Sequence, residues 1–466
     1  MSQQTKTSIH GQWSSRMAFI LAATGSAVGL GNIWKFPYIT GENGGGAFVI
    51  VYLICIAAIG VPIMMAEIML GRRGRQSPVN TMAALAAEEG RPAAWALLGW
   101  LGMLAGFLIL SYYSVIAGWA LSYVFRTASG AFEGATADGV SSIFSEFVSS
   151  PESLLAWHTI FMVATMIIVS RGVKHGIERA VSYLMPALFV LLIVLIFYAM
   201  STGYFVDGLN FLFTPDFSKL NASSILVAMG HAFFTLSLGM GAIMVYGSYL
   251  PKDVSIAKAT MMVALADTAV ALLAGMIIFP IVFANHLEPG AGPGLIFQTL
   301  PIAFGQMEAG VLIGTLFFVL LLFAAWSSSI SLIEPAVSWL VENKGMSRVT
   351  ASVWCGIATW LVGIGSVLSF NLWKAKTWSF SLFGETLFED KTFFDTLDGL
   401  TANIMLPLGG LFVAIFAGWL MKPQSSKKEL NTTEKAYTVW INLVRVIAPV
   451  AVMVVFLNAI GMINLD

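Results

Sequence analysis

Charged side chains are scarce in this sequence of 466 residues. Asp, Glu, Lys and Arg together make up 11% of it, against roughly a quarter of an ordinary soluble domain. The formal net charge of -1 does not point to a nucleic-acid partner, and we expect none. The two cysteines, Cys55 and Cys355, both fall within apolar runs, where a thiol behaves as a small hydrophobe. The composition therefore argues against a soluble domain and against a disulfide framework.

Histidine is also rare, and its distribution argues against an enzyme. Catalysis would need a nucleophile with a base, or a cluster of metal ligands. The five histidines are scattered without ligand spacing, so we predict that the protein is not an enzyme. They are His10, His158, His175, His231 and His286.

Long apolar runs are abundant instead. Hydrophobic residues make up 58% of the chain and the mean hydropathy is +0.82. Windows of about 20 residues, the length that crosses a bilayer core, fit the sequence about eleven times. These windows, named spans 1 to 11, predict an all-α integral membrane protein. They are 17–40, 46–71, 95–125, 155–170, 180–201, 223–250, 256–285, 306–341, 349–369, 400–421 and 438–463.

Basic residues cluster in alternate loops, which predicts the orientation in the membrane. Loops that follow the even-numbered spans carry Lys and Arg, whereas loops 126–154 and 286–305 are acidic. The positive-inside rule then places the N-terminus in the cytoplasm and, with an odd number of spans, the C-terminus outside. Loop 370–397 fits this assignment least. The basic residues are Arg72, Arg73, Arg75, Arg91, Arg171, Lys174, Arg179, Lys252, Lys258, Lys344, Arg348, Lys422, Lys427, Lys428 and Lys435.

Two spans are interrupted by glycine, at GSAVGLGNIWKFP (25–37) and at FFTLSLGMGA (233–242). Irregular backbone at membrane depth survives only where protein buries it or where it lines a cavity. The two breaks lie five spans apart, which predicts a 5+5 inverted repeat within a single domain, 1–466. The first repeat covers about 13–201 and the second about 223–421, and an extra helix covers about 438–463.

Paired breaks of this kind favour a binding site at the membrane midplane. Free N–H groups suit an anion, and free carbonyls suit a hard cation. Further oxygen atoms lie at membrane depth on Ser327 and Ser328 of span 8 and on Asp267 of span 7. The alternative is that glycine only permits close helix packing and that serine bonds to its own helix. An Asp at this depth, however, is functional by default.

Several long motifs resemble the neurotransmitter:sodium symporter family, in its bacterial form. The resemblance extends through span 10, whereas the twelfth span that the family often has is missing. It implies a leucine-transporter-like fold with broken helices 1 and 6, in the inner membrane of a bacterium. The motifs are WSSRMAFILAATGSAVGLGNIWKFPY (13–38), ENGGGAF (42–48), EIMLGRRG (67–74), GIER (176–179), DGLNFLFTPDF (207–217), FFTLSLGMGA (233–242) and AAWSSSI (324–330).

The same resemblance implies two sodium sites. One joins span 1 to span 8, and the other lies between spans 1, 6 and 7, where the carboxylate of the substrate completes the set. The ligands implied for the first are Gly25, Val28, Ala324, Ser327 and Ser328. Those implied for the second are Ala27, Asn32, Thr235 and Asp267.

The implied substrate pocket is polar where it meets the amino-acid backbone and apolar elsewhere. Amine transporters of the family carry an acid at the position of Gly29, so a glycine here favours a substrate with its own carboxylate. The unbranched Met240 suggests a wall that adapts to aromatic side chains. The pocket residues are Leu30, Gly31, Ile109, Tyr113, Phe234, Thr235, Ser237, Met240, Ser328 and Leu332.

Gates and counter-ions follow from the resemblance as well. Lys35 and Asp398 match an extracellular ion pair. Glu342 matches the acid of an intracellular pair whose usual Arg is replaced by His10, with Lys6 as a substitute. Animal members of the family bind chloride, but Asp267 already supplies a negative charge, so no chloride requirement is expected.

These features predict a sodium-coupled secondary transporter that imports L-amino acids, apolar or aromatic, by alternating access. The alternatives are uptake of another carboxylate zwitterion such as an osmolyte, and a membrane sensor that does not transport. A channel is disfavoured, because channel selectivity usually comes from symmetric rings. The predicted partners are the amino acid and the lipid bilayer, and no oligomeric state is predicted.

Overall fold

The structure, a computed structural model, describes residues 8–287, 294–382, 385–460 and 462–463. Within these residues nine helices are long and apolar enough to cross a membrane, or ten when the bent pair that forms span 1 counts as one. They match predicted spans 2 to 5 and 7 to 11, which confirms the all-α membrane fold. They are Gly46–Gly74, Ala93–Ala128, Pro151–Ser170, Val173–Ser201, Ile256–Ala284, Gly310–Lys344, Arg348–Ser369, Phe393–Leu420 and Glu434–Ala459.

Span 1 is broken in its middle. Its first half is the helix Arg16–Ala27, whose free N-terminal amide at Ala18 donates to the Ser15 hydroxyl. The helix ends where Val28 becomes extended, and the chain turns by 51° before it resumes as Gly31–Glu42. The Val28 N–H still donates to the Thr24 carbonyl, but the N–H groups of Gly29 and Leu30 donate to side chains, so the helical bonding is interrupted where the glycine pattern predicted it.

Span 6 is broken more completely, into helices Ala222–Thr235 and Ala242–Ser248. A 14-residue helix is about 21 Å long, too short to cross the ~30 Å hydrocarbon core alone. In the linker, Gly239 has a φ of +78°, and a Cβ there would lie 2.4 Å from the Leu406 carbonyl oxygen. The Gly239 N–H donates to Glu67 Oε1 of span 2 at 2.6 Å, which satisfies a backbone group that the break sets free.

The broken spans lie in the centre of the molecule, and spans 4, 5 and 11 lie at its periphery. Two thirds of the most apolar window of span 2 is buried, against 28% for spans 5 and 11. Span 8 packs against spans 1, 3 and 5. The breaks in spans 1 and 6 thus lie in the interior of the bundle, away from lipid.

The basic loops meet at one end of the bundle, which we call the basic side. Arg72, after span 2, pairs with Glu429, after span 10, at 2.6 Å. Arg75 donates to the Leu250 carbonyl after span 6 at 2.5 Å. Arg348, which begins span 9, donates to the Val169 carbonyl of span 4 at 2.9 Å.

The remaining elements connect the spans. Strands Trp378–Leu382 and Glu385–Lys391 form an antiparallel hairpin that pairs Trp378 with Lys391. This hairpin occupies the 370–397 loop and precedes the Thr392 cap of span 10. The short connecting helices are Pro78–Glu88, Ala137–Ser149, Phe205–Phe213, Leu300–Gln306 and Pro423–Leu430.

Candidate functional site

Carbonyl and hydroxyl oxygens converge where span 1 crosses span 8. The Ser328 hydroxyl oxygen lies 3.0 Å from the Val28 carbonyl, 3.1 Å from the Ser26 carbonyl and 3.4 Å from the Gly25 carbonyl. Ser327, whose hydroxyl lies 3.0 Å from the Ala324 carbonyl, adjoins Gly25, because a Cβ on that glycine would lie 3.0 Å from Ser327 Cβ. The structure thus brings all five residues of the first predicted sodium site together.

The donors in this cluster are fewer than the acceptors. One hydroxyl hydrogen on Ser328 can satisfy only one of the three carbonyl oxygens around it. Uncharged oxygen ligands are what a hard cation such as sodium prefers. No group of three or more His, Cys, Asp or Glu side chains that could hold a metal occurs among the described residues. The chemistry of this cluster therefore suits an alkali cation better than a transition metal.

A second polar cluster joins spans 1, 6 and 7. Asp267, fully buried, accepts from Asn32 Nδ2 at 2.7 Å through Oδ1 and from the Thr235 hydroxyl at 3.1 Å through Oδ2. Among the ion pairs between described residues, none includes Asp267. A buried carboxylate is usually paired with a cation, so this cluster suits a cation too. Asn32 Oδ1 accepts from the Gly29 N–H at 3.0 Å, so this predicted ligand oxygen is directed at the backbone.

All ten residues of the predicted substrate pocket line one small cavity. Ala27, from the second predicted sodium site, lines it as well. Gly29, where the resemblance places an acid in amine transporters, and Ser26, which the sequence did not assign to the wall, complete the lining. The cavity holds about 20 Å³, which is space for about one water molecule. An amino acid can enter only if some of these side chains move.

Tyr113 and Phe234 line this cavity and contact the backbone of span 1. The Leu30 N–H donates to the Tyr113 hydroxyl oxygen at 3.2 Å. A Cβ on Gly31 would lie 3.2 Å from the Phe234 ring. Leu30 and Gly31 belong to the predicted pocket, so in this structure Tyr113 and Phe234 lie against its backbone.

Phe234 separates this cavity from a larger one. Beyond the ring lies a space of about 440 Å³, lined in part by Lys35, Glu42 and Asn403. The Lys35 ammonium lies 5.2 Å from the centre of the Phe234 ring. Between described residues no ion pair within 4.0 Å joins Lys35 to Asp398, so this structure does not form the predicted extracellular pair.

The basic side is closed by Glu342, at the end of span 8. Glu342 Oε1 lies 3.0 Å from His10 Nε2 and accepts from the Ser77 N–H at 2.8 Å. Its Oε2 accepts from the Ser77 hydroxyl at 2.5 Å and from Asn80 at 2.7 Å. The structure thus brings His10 to Glu342, and it adds two partners that sequence patterns did not indicate. Lys6, the proposed substitute, lies outside the described residues.

Comparison with known proteins gives a consistent result. A profile described as the sodium:neurotransmitter symporter family matches residues 10–137 and 143–464. An uncharacterized sodium-dependent transporter of Bacillus subtilis, YhdH, is 38% identical over 97% of this chain and 98% of its own length. A sodium- and chloride-dependent creatine transporter of Homo sapiens is 26% identical over 71% of this chain and 59% of its own length.

Among solved structures, the crystal structure of MhsT in complex with L-phenylalanine is similar throughout. It has a TM-score of 0.87 and 45% sequence identity, and the match covers 96% of this chain and 99% of that one. The chain therefore belongs to the sodium:neurotransmitter symporter family and is a multi-pass, sodium-dependent membrane transporter.

Proposed function

We propose that this protein imports L-amino acids with apolar or aromatic side chains, together with sodium ions, by alternating access. The observation that carries the proposal is one shared cavity, in which backbone groups of both broken spans meet an apolar wall. Thr235 belongs both to this cavity and to the Asp267 cluster. A substrate carboxylate placed here would lie beside the second cation position, which would couple the binding of the two.

The first cation position would act on the conformation of the protein. This position lies where the carbonyls of span 1 meet the serines of span 8. A cation that bridges them favours the state in which these spans touch, because a ligand shifts an equilibrium toward the state that it binds better. Sodium would therefore stabilise the arrangement of spans 1 and 8 in this structure, in which His10 and Glu342 close the basic side.

We propose the basic side as the cytoplasmic side, with the N-terminus inside and the C-terminus outside. His10 and Glu342 would then form the inner gate, and Phe234 with Lys35 the outer lid. Asp398 would join the lid only after a movement, since it is not paired with Lys35 here. The proposed repeats, 13–201 and 223–421, would supply the two halves that move against each other.

The energy of sodium entry is sufficient for concentrative uptake. A charge that moves through ~100 mV contributes about 2.3 kcal/mol, and a tenfold sodium gradient adds about 1.4 kcal/mol per ion. Two ions would supply roughly 7 kcal/mol, or about five decades of accumulation. One ion would supply about half of that energy.

The walls favour an amino acid over an amine. A Cβ at Gly29 would lie 2.6 Å from the Ser328 hydroxyl oxygen, so this position has no room for an acid that would replace a missing substrate carboxylate. Ile109, Met240 and Leu332 form an apolar wall. The L-phenylalanine in the MhsT complex supports the aromatic end of the proposed range.

A binding screen tests the proposal. Each of the twenty L-amino acids is titrated into the purified protein with sodium or with potassium, and tyramine and creatine are included. We expect binding of apolar and aromatic amino acids in sodium alone, and no binding of tyramine. Preferential binding of creatine or of an osmolyte would favour the other-zwitterion alternative. Binding without counterflow of labelled amino acid in proteoliposomes would favour a sensor.

A further inference from the structure

A narrow groove runs along the outside of the bundle between spans 4 and 9. Its volume is about 450 Å³. From Val349 to Trp360 it extends along eleven helical steps, or about 16 Å, which is roughly half of the ~30 Å hydrocarbon core. Its residues are Thr159, Met162, Val163, Met166, Ile167, Ser170, Val349, Ser352, Val353, Gly356, Ile357 and Trp360.

The dimensions of the groove suit a hydrocarbon chain. A volume of 450 Å³ over a length of about 16 Å describes a narrow groove rather than a broad cleft. An α-helix with side chains is about 10–12 Å wide, so a helix of a second copy could insert only side chains, whereas a hydrocarbon chain can lie along the groove. Gly356 lies at its floor, where a Cβ would lie 2.6 Å from Met166 Cγ.

One polar atom of the groove lacks a partner. The Ser352 side chain is fully buried, and its hydroxyl makes no hydrogen bond. Buried hydroxyl groups are nearly always satisfied. The hydroxyl is closed off from the groove in this structure, so a lipid ester oxygen could accept this hydrogen bond only if the Ser352 side chain turned toward the groove.

The mouth of the groove on the basic side is positively charged. Ser170 lines the groove and is followed at once by Arg171, which is exposed, as is Lys174 beyond it. Within the described part of the chain neither residue takes part in an ion pair. Basic pockets between membrane helices on the cytoplasmic side bind anionic lipid headgroups, and a lysine and an arginine without partners are free to do so.

We propose that this groove binds an anionic phospholipid of the leaflet on the basic side. One acyl chain lies between spans 4 and 9, and the phosphate lies at Arg171 and Lys174. The lipid thereby covers an apolar surface that the two spans leave open.

Native mass spectrometry of the purified full-length protein tests this proposal, with phosphatidylglycerol compared against phosphatidylcholine. We expect the wild-type protein to retain one phosphatidylglycerol molecule under activation that removes phosphatidylcholine. Val163→Trp fills the groove, because Val163 lies on its wall and is 53% exposed, and should lower retention at least fivefold. Val190→Trp is the control, because Val190 of span 5 is 58% exposed and lies outside the groove.

The headgroup contact has its own pair of variants. Arg171→Gln with Lys174→Gln should abolish the preference for phosphatidylglycerol, whereas Lys252→Gln with Lys258→Gln, which removes the same charge from another basic loop, should preserve it.

Equal retention of phosphatidylglycerol in Val163→Trp and Val190→Trp would overturn the proposal. A dimer that disappears in Val163→Trp would instead assign the groove to a second copy. Val353→Trp, on the opposite wall, repeats the test if Val163→Trp does not fold.

Discussion

Asn32 of span 1 donates a hydrogen bond to the Asp267 carboxylate of span 7 across 2.7 Å, beside the break in span 6. The contact places a carboxyl group that can carry a negative charge next to the cavity that we propose for the substrate. A sodium ion bound beside the substrate carboxylate would meet this group. We propose that a negative charge on Asp267 then makes an external anion unnecessary.

Chloride should therefore be dispensable for uptake. We expect sodium-driven uptake into proteoliposomes to persist when gluconate replaces chloride. Asp267→Asn keeps the shape and removes the charge, so it should slow uptake at least tenfold in gluconate, and chloride should restore part of the rate. Asp138→Asn, at an exposed carboxylate outside the proposed sites, is the control. A wild-type protein that needs chloride would contradict the charge argument at its first step.

We also predict that Asp267 carries a proton when the transporter returns without sodium and substrate. An unpaired buried charge costs several kcal/mol, so Asp267 should return across the membrane protonated once sodium and substrate have left. An acidic lumen should therefore stimulate uptake, and Asp267→Asn should abolish that stimulation. The check is the uptake rate at several lumenal pH values with the external pH held constant. A rate that does not respond to lumenal pH would argue against proton export.

Ser328→Ala should weaken sodium binding more than it weakens the fold. Its hydroxyl lies among the carbonyls of Gly25, Ser26 and Val28. Removal of a ligand to a cation costs about 1.5–3 kcal/mol, which raises the dissociation constant for sodium about tenfold to a hundredfold. Sodium titrations of substrate binding measure the change. Ser338→Ala is the matched control, a buried serine of the same span that bonds only to the Pro335 carbonyl. If both variants respond equally to sodium, Ser328 is only a packing residue.

Gly29→Ala should impair substrate and sodium binding together. The added Cβ would lie 2.6 Å from the Ser328 hydroxyl oxygen and 3.0 Å from the Tyr113 hydroxyl oxygen. Both side chains must then shift, and we expect at least a tenfold loss of amino-acid affinity by isothermal titration. A Cβ at Gly230 meets nothing within 4 Å, so Gly230→Ala should bind as the wild-type protein does. Normal affinity in Gly29→Ala would show that the cavity is not the substrate site.

Glu342→Ala should open the basic side. It removes the shared acceptor of His10, Ser77 and Asn80, whose donors then lose a buried partner. A loss of about 2 kcal/mol shifts an open–closed equilibrium about thirtyfold. Hydrogen exchange should rise in residues 13–20 and 77–88, and sodium affinity should fall. Glu434→Ala, which breaks an exposed pair with Lys427, should leave both unchanged. Unaltered exchange in Glu342→Ala would remove this residue from the gate.

Apolar patterning predicted the spans, and the family resemblance predicted the composition of the pocket. Gly25 to Pro37 and Phe233 to Ala242 are long motifs that carry this resemblance, which assigned residues as distant as Ile109 and Leu332 to one cavity, and the structure brings them together. Their roles as ligands stay predictions. The break in span 6 was predictable too, because Gly239 and Gly241 follow Thr235 within an otherwise apolar run.

Contacts that depend on how rigid helices meet were not predictable. Ser77 and Asn80 belong to a short helix with no motif of its own, and only its approach to Glu342 gives them a role. The family resemblance implied an ion pair between Lys35 and Asp398, but the Lys35 ammonium lies over the Phe234 ring. The groove between spans 4 and 9 consists of residues that resemble any lipid-facing surface in the sequence.

Uptake of labelled L-phenylalanine into proteoliposomes tests the central claim most directly. An inward sodium gradient with a negative interior is compared with an equal potassium gradient at the same voltage. We predict transient accumulation above the external concentration in sodium, and no accumulation in potassium or when a sodium ionophore dissipates the gradient. Equal uptake in the two salts, or no uptake of any apolar or aromatic amino acid by protein that binds them, would contradict a sodium-coupled amino-acid importer.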